Sequence, residues 1–130
     1  QQFLPEDEVE YTCGLFCSSN GEIRHIVFKR DLMSGFSVFG QIVENDSIDQ
    51  LLVKIATKLN LRGSINVQLR IVNGSPYIFE INPRFSSTVR FRDLFGFKDV
   101  LWVLEDQLEY TLSNYKKPLK SSKFYKGFNI

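Results

Sequence analysis

The stretch Tyr77-Ile78-Phe79-Glu80-Ile81-Asn82-Pro83-Arg84-Phe85 decides how this chain is read. Side chains alternate across a β-strand, so Ile78, Glu80 and Asn82 are expected on one face and Tyr77, Phe79 and Ile81 on the other. The first face then carries a carboxylate and an amide oxygen one strand repeat apart, roughly 6.6 Å. Pro83 has no N–H to give to a ladder and ends the strand. Arg84 follows at once. Oxygen donors beside a guanidinium suit Mg²⁺ carrying phosphates: the hard oxygens take the metal, and the fork takes the anion.

Just upstream, Ile65, Val67, Leu69 and Ile71 alternate with Asn66, Gln68, Arg70 and Val72. Asn73-Gly74-Ser75-Pro76 closes a hairpin between the two strands. Asn-Gly favours a two-residue turn, which would set Gln68 opposite Phe79. Bringing Gln68 opposite Glu80 requires a three-residue loop or a bulge that corrects the register. With either correction, Gln68, Glu80 and Asn82 share one face. Gln68 would give a neutral carbonyl oxygen, Glu80 a carboxylate able to bridge two cations, and Asn82 another oxygen. A single carboxylate among neutral donors holds Mg²⁺ weakly without phosphates, so the metal is expected to arrive with a nucleotide. The competing reading is an ordinary solvated strand face.

The remaining segments supply a frame for this hairpin. Residues 8–18 read as a strand with Tyr11, Cys13, Leu15 and Cys17 on one face, and Ser18-Ser19-Asn20-Gly21 as a turn. Ile23 to Arg30 returns as a second strand; neither of its faces is purely polar, so both are expected to be covered. Asp31 to Gly35 reads as a break and Phe36 to Val43 as a third strand. Ile48, Leu51, Leu52, Ile55, Ala56 and Leu59 then follow the period of an amphipathic helix. Ser47 with Gln50, or Asp46 instead, would cap it. A helical stretch is expected at Val89–Leu94. Asp99 would cap a longer helix holding Leu101, Trp102, Leu104, Leu108 and Leu112. Residues 113–130 form a polar, lysine-bearing tail, with a possible edge strand from Lys123 to Ile130.

The 130 residues suffice for one domain with its own core, 1–130, of class α+β: an antiparallel β-sheet packed with α-helices. A net charge of +1 argues for neither nucleic acid nor membrane as partner, and no apolar run is long enough to span a bilayer. The lysines Lys116, Lys117, Lys120 and Lys123 beside Phe124 and Tyr125 read as a solvated tail rather than a nucleic-acid surface. Cys13 and Cys17 would sit about 13 Å apart along a strand, too far for a disulfide. They fit a reducing, cytoplasmic setting. His25, the single histidine, lacks the surroundings of a triad and reads as a packing residue. The start, with no initiator Met, reads as a cut inside a longer chain.

Glu80-Ile81-Asn82-Pro83-Arg84, preceded by Asn66-Val67-Gln68, resembles the metal-binding end of the ATP-grasp superfamily, in particular the carbamoyl-phosphate synthase large subunit and related carboxylate–amine ligases. Gln1-Gln2-Phe3-Leu4-Pro5 resembles the family's adenine hinge, with Gln2 where Glu is common. Glu10-Tyr11-Thr12 resembles the strand that follows the hinge. Lys29-Arg30 with Ser34-Gly35, and Leu59-Asn60-Leu61-Arg62-Gly63, resemble further family segments in the same order.

The resemblance implies the carboxy-terminal lobe of an ATP-grasp fold. It also implies ATP with two Mg²⁺ ions as cofactors. Gln2, Phe3, Leu4, Glu10, Gln68 and Glu80 would contact the nucleotide, and Gln68, Glu80 and Asn82 the metal. Arg84 would stabilise an acyl phosphate, with Arg30 as a second catalytic candidate. Ser86 and Ser87 would bond phosphate or substrate, with Ser87 alternatively capping a helix.

The implied partners are an amino-terminal ATP-grasp lobe and small carboxylate and amine substrates, with a homo-oligomer as a further option. Without that lobe the chain is expected to bind ATP weakly and to turn nothing over. The rival reading is a non-catalytic interaction module, with Phe95, Phe97 and Trp102 packing against a partner or the absent lobe.

Overall fold

The computed structural model describes residues 9–33, 37–84, 89–118 and 123–126. Its elements run β1 (Val9–Cys17), β2 (Ile23–Met33), β3 (Ser37–Ile42), α1 (Asp46–Lys58), β4 (Gly63–Val72), β5 (Ser75–Asn82), α2 (Val89–Leu94), α3 (Asp99–Gln107) and β6 (Lys123–Lys126). The strands form one antiparallel sheet in the order β5-β4-β1-β2-β3-β6. β1 lies between β2 and β4, which makes it the axis of the core. The α+β class expected from the sequence is the one observed. So is the added edge strand, over Lys123–Lys126; residues 127–130 lie outside the described ones.

Strand alternation sorts the core into two layers, one on each side of the sheet. On one side Cys13, Leu15, Cys17, Val27, Ile65, Val67 and Leu69 meet Ile48, Leu52 and Ala56 of α1. On the other, Phe16, Ile26, Phe28 and Ile42 meet Phe97 and Trp102 of the α2–α3 region. Both faces of β2 are therefore covered. The aromatic side is a connected cluster: the Trp102 ring lies 5.0 Å from Phe97, 5.3 Å from Tyr115 and 5.6 Å from Phe16, tilted or edge-on in each case. Cys13 and Cys17 are buried free thiols, and burial raises the pKa of both, so they behave as small apolar residues.

Several boundaries differ from the sequence reading, each for a local reason. The expected break at Asp31 is strand: Asp31, Leu32 and Met33 continue the β2 ladder opposite Phe39, Val38 and Ser37. The cap of α1 is Asn45, one residue before Asp46 and two before Ser47; its side chain accepts from the Ile48 N–H while its backbone stays extended at φ −150°. At the far end, Asn60 takes φ +52°, and the Leu61 N–H reaches back to the Ala56 carbonyl. This is a Schellman closure with Asn in the position that usually holds Gly.

Helix α3 departs most. Lys98, not Asp99, is its cap residue, and the helix ends at Gln107, so Leu112 lies beyond it. Trp102 is buried, but Leu101, Leu104 and Leu108 are exposed on the outer side, joined by Val100.

Candidate functional site

The β4–β5 hairpin closes through the two-residue turn Asn73-Gly74, both residues at positive φ (53° and 81°), with Val72 opposite Ser75. In that register Leu69 faces Ile78, and Gln68 would face Phe79. Instead the pairing shifts between Gln68 and Leu69, and Gln68 stands opposite Glu80. Phe79 is the extra residue of a β-bulge. Of the two corrections the sequence allows, the molecule uses the bulge.

The bulge overturns one expectation. Ile78 does not share a face with Glu80; it joins Ile81 against the α1 core, while Phe79 is exposed. A regular strand would have put an isoleucine beside the two polar side chains. The bulge lets β5 bury apolar residues on both sides of the slip and still present Glu80 and Asn82 together.

Across the sheet the register now builds rows on one face: Gly14–Asn66–Asn82, then Thr12–Gln68–Glu80, then Glu10–Arg70–Tyr77. Asn82 Nδ2 donates to Glu80 Oε2 at 2.7 Å, fixing the two side chains to each other. β5 ends at Asn82 as expected. The Arg84 N–H then donates to the Asn82 carbonyl at 2.8 Å across Pro83. That three-residue turn folds Arg84 back beside the end of β5. The guanidinium of Arg70 stacks on Phe79, 4.8 Å from the ring centre.

The sequence candidates are therefore brought together in part. Gln68, Glu80 and Asn82 share one face, Arg84 follows directly, and Glu10 lies two strands away opposite Arg70. Arg30 is on β2 opposite Gly40; its side chain lies outside the described residues, as do Gln2, Phe3, Leu4, Ser86 and Ser87.

Among the described residues no cluster of three or more His, Cys, Asp or Glu side chains could hold a metal. The Gln68–Glu80–Asn82 set does not belong to that class: it has one carboxylate and two amide oxygens. Such donors fit Mg²⁺ accompanied by phosphate oxygens, not a bare ion.

Sequence reasoning missed one constellation next to these rows. Arg92 and Asp99 are fully buried and paired, Nη2 to Oδ2 at 2.8 Å, and Ser64 Oγ donates to the same carboxylate oxygen at 2.7 Å. Burial pulls the Arg92 pKa down, and Asp99 opposes the shift. In the charge-rich Arg90-Phe91-Arg92-Asp93 run, Arg92 reads as a surface residue. The available signal was Gly14: a glycine inside a strand marks a close approach, and here Arg92 occupies the space.

The family model described as "ATP-grasp in the biosynthetic pathway with Ter operon" matches residues 1–124. The chain belongs to the ATP-grasp family. Among curated proteins, this ATP-grasp chain is 39% identical over 56 residues to the carbamoyl phosphate synthase large chain, C-terminal section, of Aquifex aeolicus. That match covers 43% of the chain and 10% of the relative. It is 41% identical over 46 residues to the carbamoyl phosphate synthase large chain of Helicobacter pylori, covering 35% of the chain and 4% of the relative.

Among solved structures, the phosphoribosylaminoimidazole carboxylase ATPase subunit of Aquifex aeolicus superposes with TM-score 0.69 at 15% identity, over 86% of this chain and 36% of that one. The biotin carboxylase–β,γ-ATP complex of Campylobacter jejuni gives 0.71 at 10% identity, over 96% and 30%. These two share the fold. The chain thus spans a tenth or less of the curated relatives named and about a third of the superposed structures.

Proposed function

We propose that this ATP-grasp chain is the metal-bearing lobe of an ATP- and Mg²⁺-dependent ligase that activates a carboxylate, or bicarbonate, as an acyl phosphate and joins it to an amine or other nucleophile. The observation that carries the reading is the bulged register, which sets Gln68 opposite Glu80 and leaves Asn82 on the same face. The γ-phosphoryl group passes to a carboxylate oxygen with release of ADP; the amine then attacks the acyl carbon, the C–N bond forms as the C–O bond to phosphate breaks, and the proton lost from nitrogen leaves with the phosphate or solvent. Bound Mg²⁺ neutralises the charge on the transferring group. The chain's own part is positioning and electrostatics. Glu80, with both Asn82 and Gln68 beside it, would hold the metal. Arg84, pinned to the end of β5 through its backbone, meets the anionic oxygens, and Arg30 is a second candidate for that contact. Gln2, Phe3, Leu4 and Glu10 would contact the nucleotide, as the family resemblance implies.

The amino-terminal lobe that would close over the phosphates is the implied partner, and the isolated chain is expected to bind ATP weakly and to show no turnover. ATP titrated onto the chain joined to such a lobe should bind in a Mg²⁺-dependent way, and Glu80→Ala should abolish that dependence. Equal Mg²⁺-dependent affinity in the variant would refute the reading.

A second reading, an interaction module, draws on a different observation. Phe97 and Trp102 are buried within the chain and are not the contact surface. The outer side of α3, with Leu104 52% and Leu108 60% exposed, is the face such a module would use. Nucleotide affinity that ignores Glu80 would favour it.

A further inference from the structure

Arg92 has no exposed surface and lies against the sheet over Gly14, where a Cβ would stand 2.6 Å from Arg92 Cδ and 2.9 Å from Nη1. One arm of its guanidinium is taken by Asp99. The other, Nη1, reaches Asn66 Oδ1 at 3.5 Å, the outer limit of a hydrogen bond. Gly14, Asn66 and Asn82 form one row across β1, β4 and β5. Arg92 sits over the Gly14 end of that row, so the Asn66 carbonyl oxygen is turned toward β1. The two ends of a planar amide point apart, and the NH₂ end therefore faces β5, where Asn82 and Glu80 stand.

The reverse orientation would set the NH₂ group against a guanidinium N–H, two donors with nothing to share. The arginine thus selects one of two amide orientations that are otherwise close in shape. Asn66 is itself buried, so its amide is held by its packing as well as by Arg92.

We propose that Arg92 is a positioning residue: it locks the Asn66 amide with its N–H end toward the Gln68–Glu80–Asn82 row, where it donates to a phosphate oxygen. This deepens the metal–nucleotide reading and rests on it. Asp99 and Ser64 hold the arginine, Gly14 admits it, and the α2–α3 corner thereby reaches the site without touching ligand.

The test follows the Asn66 side-chain NH₂ resonances by NMR, with Mg²⁺·ATP as the probe, on the chain alone and joined to an amino-terminal lobe. Arg92→Lys retains a cation for Asp99 but loses the fork. Arg92→Met/Asp99→Leu removes both charges together, so that neither is stranded in the core. In each variant that keeps the wild-type backbone spectrum, the Asn66 resonances should move to free-amide values. Mg²⁺·ATP affinity should fall about tenfold, the loss expected for one charge-assisted hydrogen bond. Asn66→Ala should lose the same factor, and Asn66→Ala combined with Arg92→Lys should lose no more.

Unchanged Asn66 resonances in Arg92→Lys, or additive losses in the combined variant, would overturn the proposal. A wild-type protein that ignores Mg²⁺·ATP in both forms would instead defeat the metal–nucleotide reading. The amide resonances would still report whether Arg92 holds Asn66.

Discussion

Strand β4 carries four polar side chains on one face, and they divide at its middle. Ser64 and Asn66 are buried under the α2–α3 corner, engaged by Asp99 and Arg92. Gln68 is half-buried and Arg70 exposed, on the stretch of the same face that α2 and α3 leave open. The residue types are similar and the backbone is continuous, so covering decides which polar groups are oriented by protein partners and which stand open. A covered polar group is oriented by the protein groups packed on it, whereas an uncovered one takes its orientation from solvent or a guest.

The contrast breaks most readily at the covered end. Trp102→Ala removes the ring shared by Phe16, Phe97 and Tyr115, and should cost about 3–5 kcal/mol of stability in urea denaturation. A cost under about 1 kcal/mol would mean that this half is not held by the aromatic cluster. Asp99→Ala strands the Arg92 charge in the core and should cost about 3 kcal/mol. Stability close to wild type would show that water or another group reaches Arg92.

Deleting Phe79 should cost only about 1 kcal/mol, because the excised residue is the unpaired one and is 46% exposed. It would convert the bulge into a regular hairpin with Gln68 still opposite Glu80. Loss of Mg²⁺-dependent nucleotide binding in that variant, measured with the amino-terminal lobe present, would show that the bulge shapes the site beyond its register.

The α1 face offers a smaller contrast. Burial lowers the pKa of His25 from its ordinary 6.5, with Asp49 opposing the shift and Lys117 adding to it. The unfolded chain therefore takes up a proton that the folded chain resists, and this contribution to stability declines as pH falls below about 6.5. Asp49, whose carboxyl is raised by burial, acts in the opposite sense at lower pH. His25→Gln should flatten the stability profile just below 6.5 in thermal melts across pH, and an unchanged slope would remove His25 as its source.

Smallest of all, Glu80→Ala should change stability by no more than about 0.5 kcal/mol, since it lies on the uncovered stretch. A larger loss would mean that Glu80 is part of the fold rather than reserved for a ligand.

How much of this was legible in the sequence follows from the same division. The open end could be read because it depends on strand alternation and turn chemistry: Asn73-Gly74 set the turn, and the ambiguity it created pointed to a bulge or a longer loop. The face of Ile78 could not be read, since it depends on where the slip falls along the strand. The covered end was harder. Arg92 and Asp99 lie seven positions apart in a charge-rich stretch, and only the tertiary fold brings them over Gly14. In helix α3, Leu101, Leu104 and Leu108 have the spacing of a core face, yet the core takes a different side, through Trp102, and only the tertiary fold decides between them.

The bulge at Phe79 has a consequence away from any ligand. β5 is an outermost strand of the sheet, with one side of its backbone unpaired by any other described strand. A flat edge of that kind is a template on which a second chain can add by strand pairing. The extra residue twists the strand and interrupts the regular spacing of its outward N–H and C=O groups. One inserted phenylalanine thus makes a poor landing strip for runaway self-association, at the place where the sheet is most open to it.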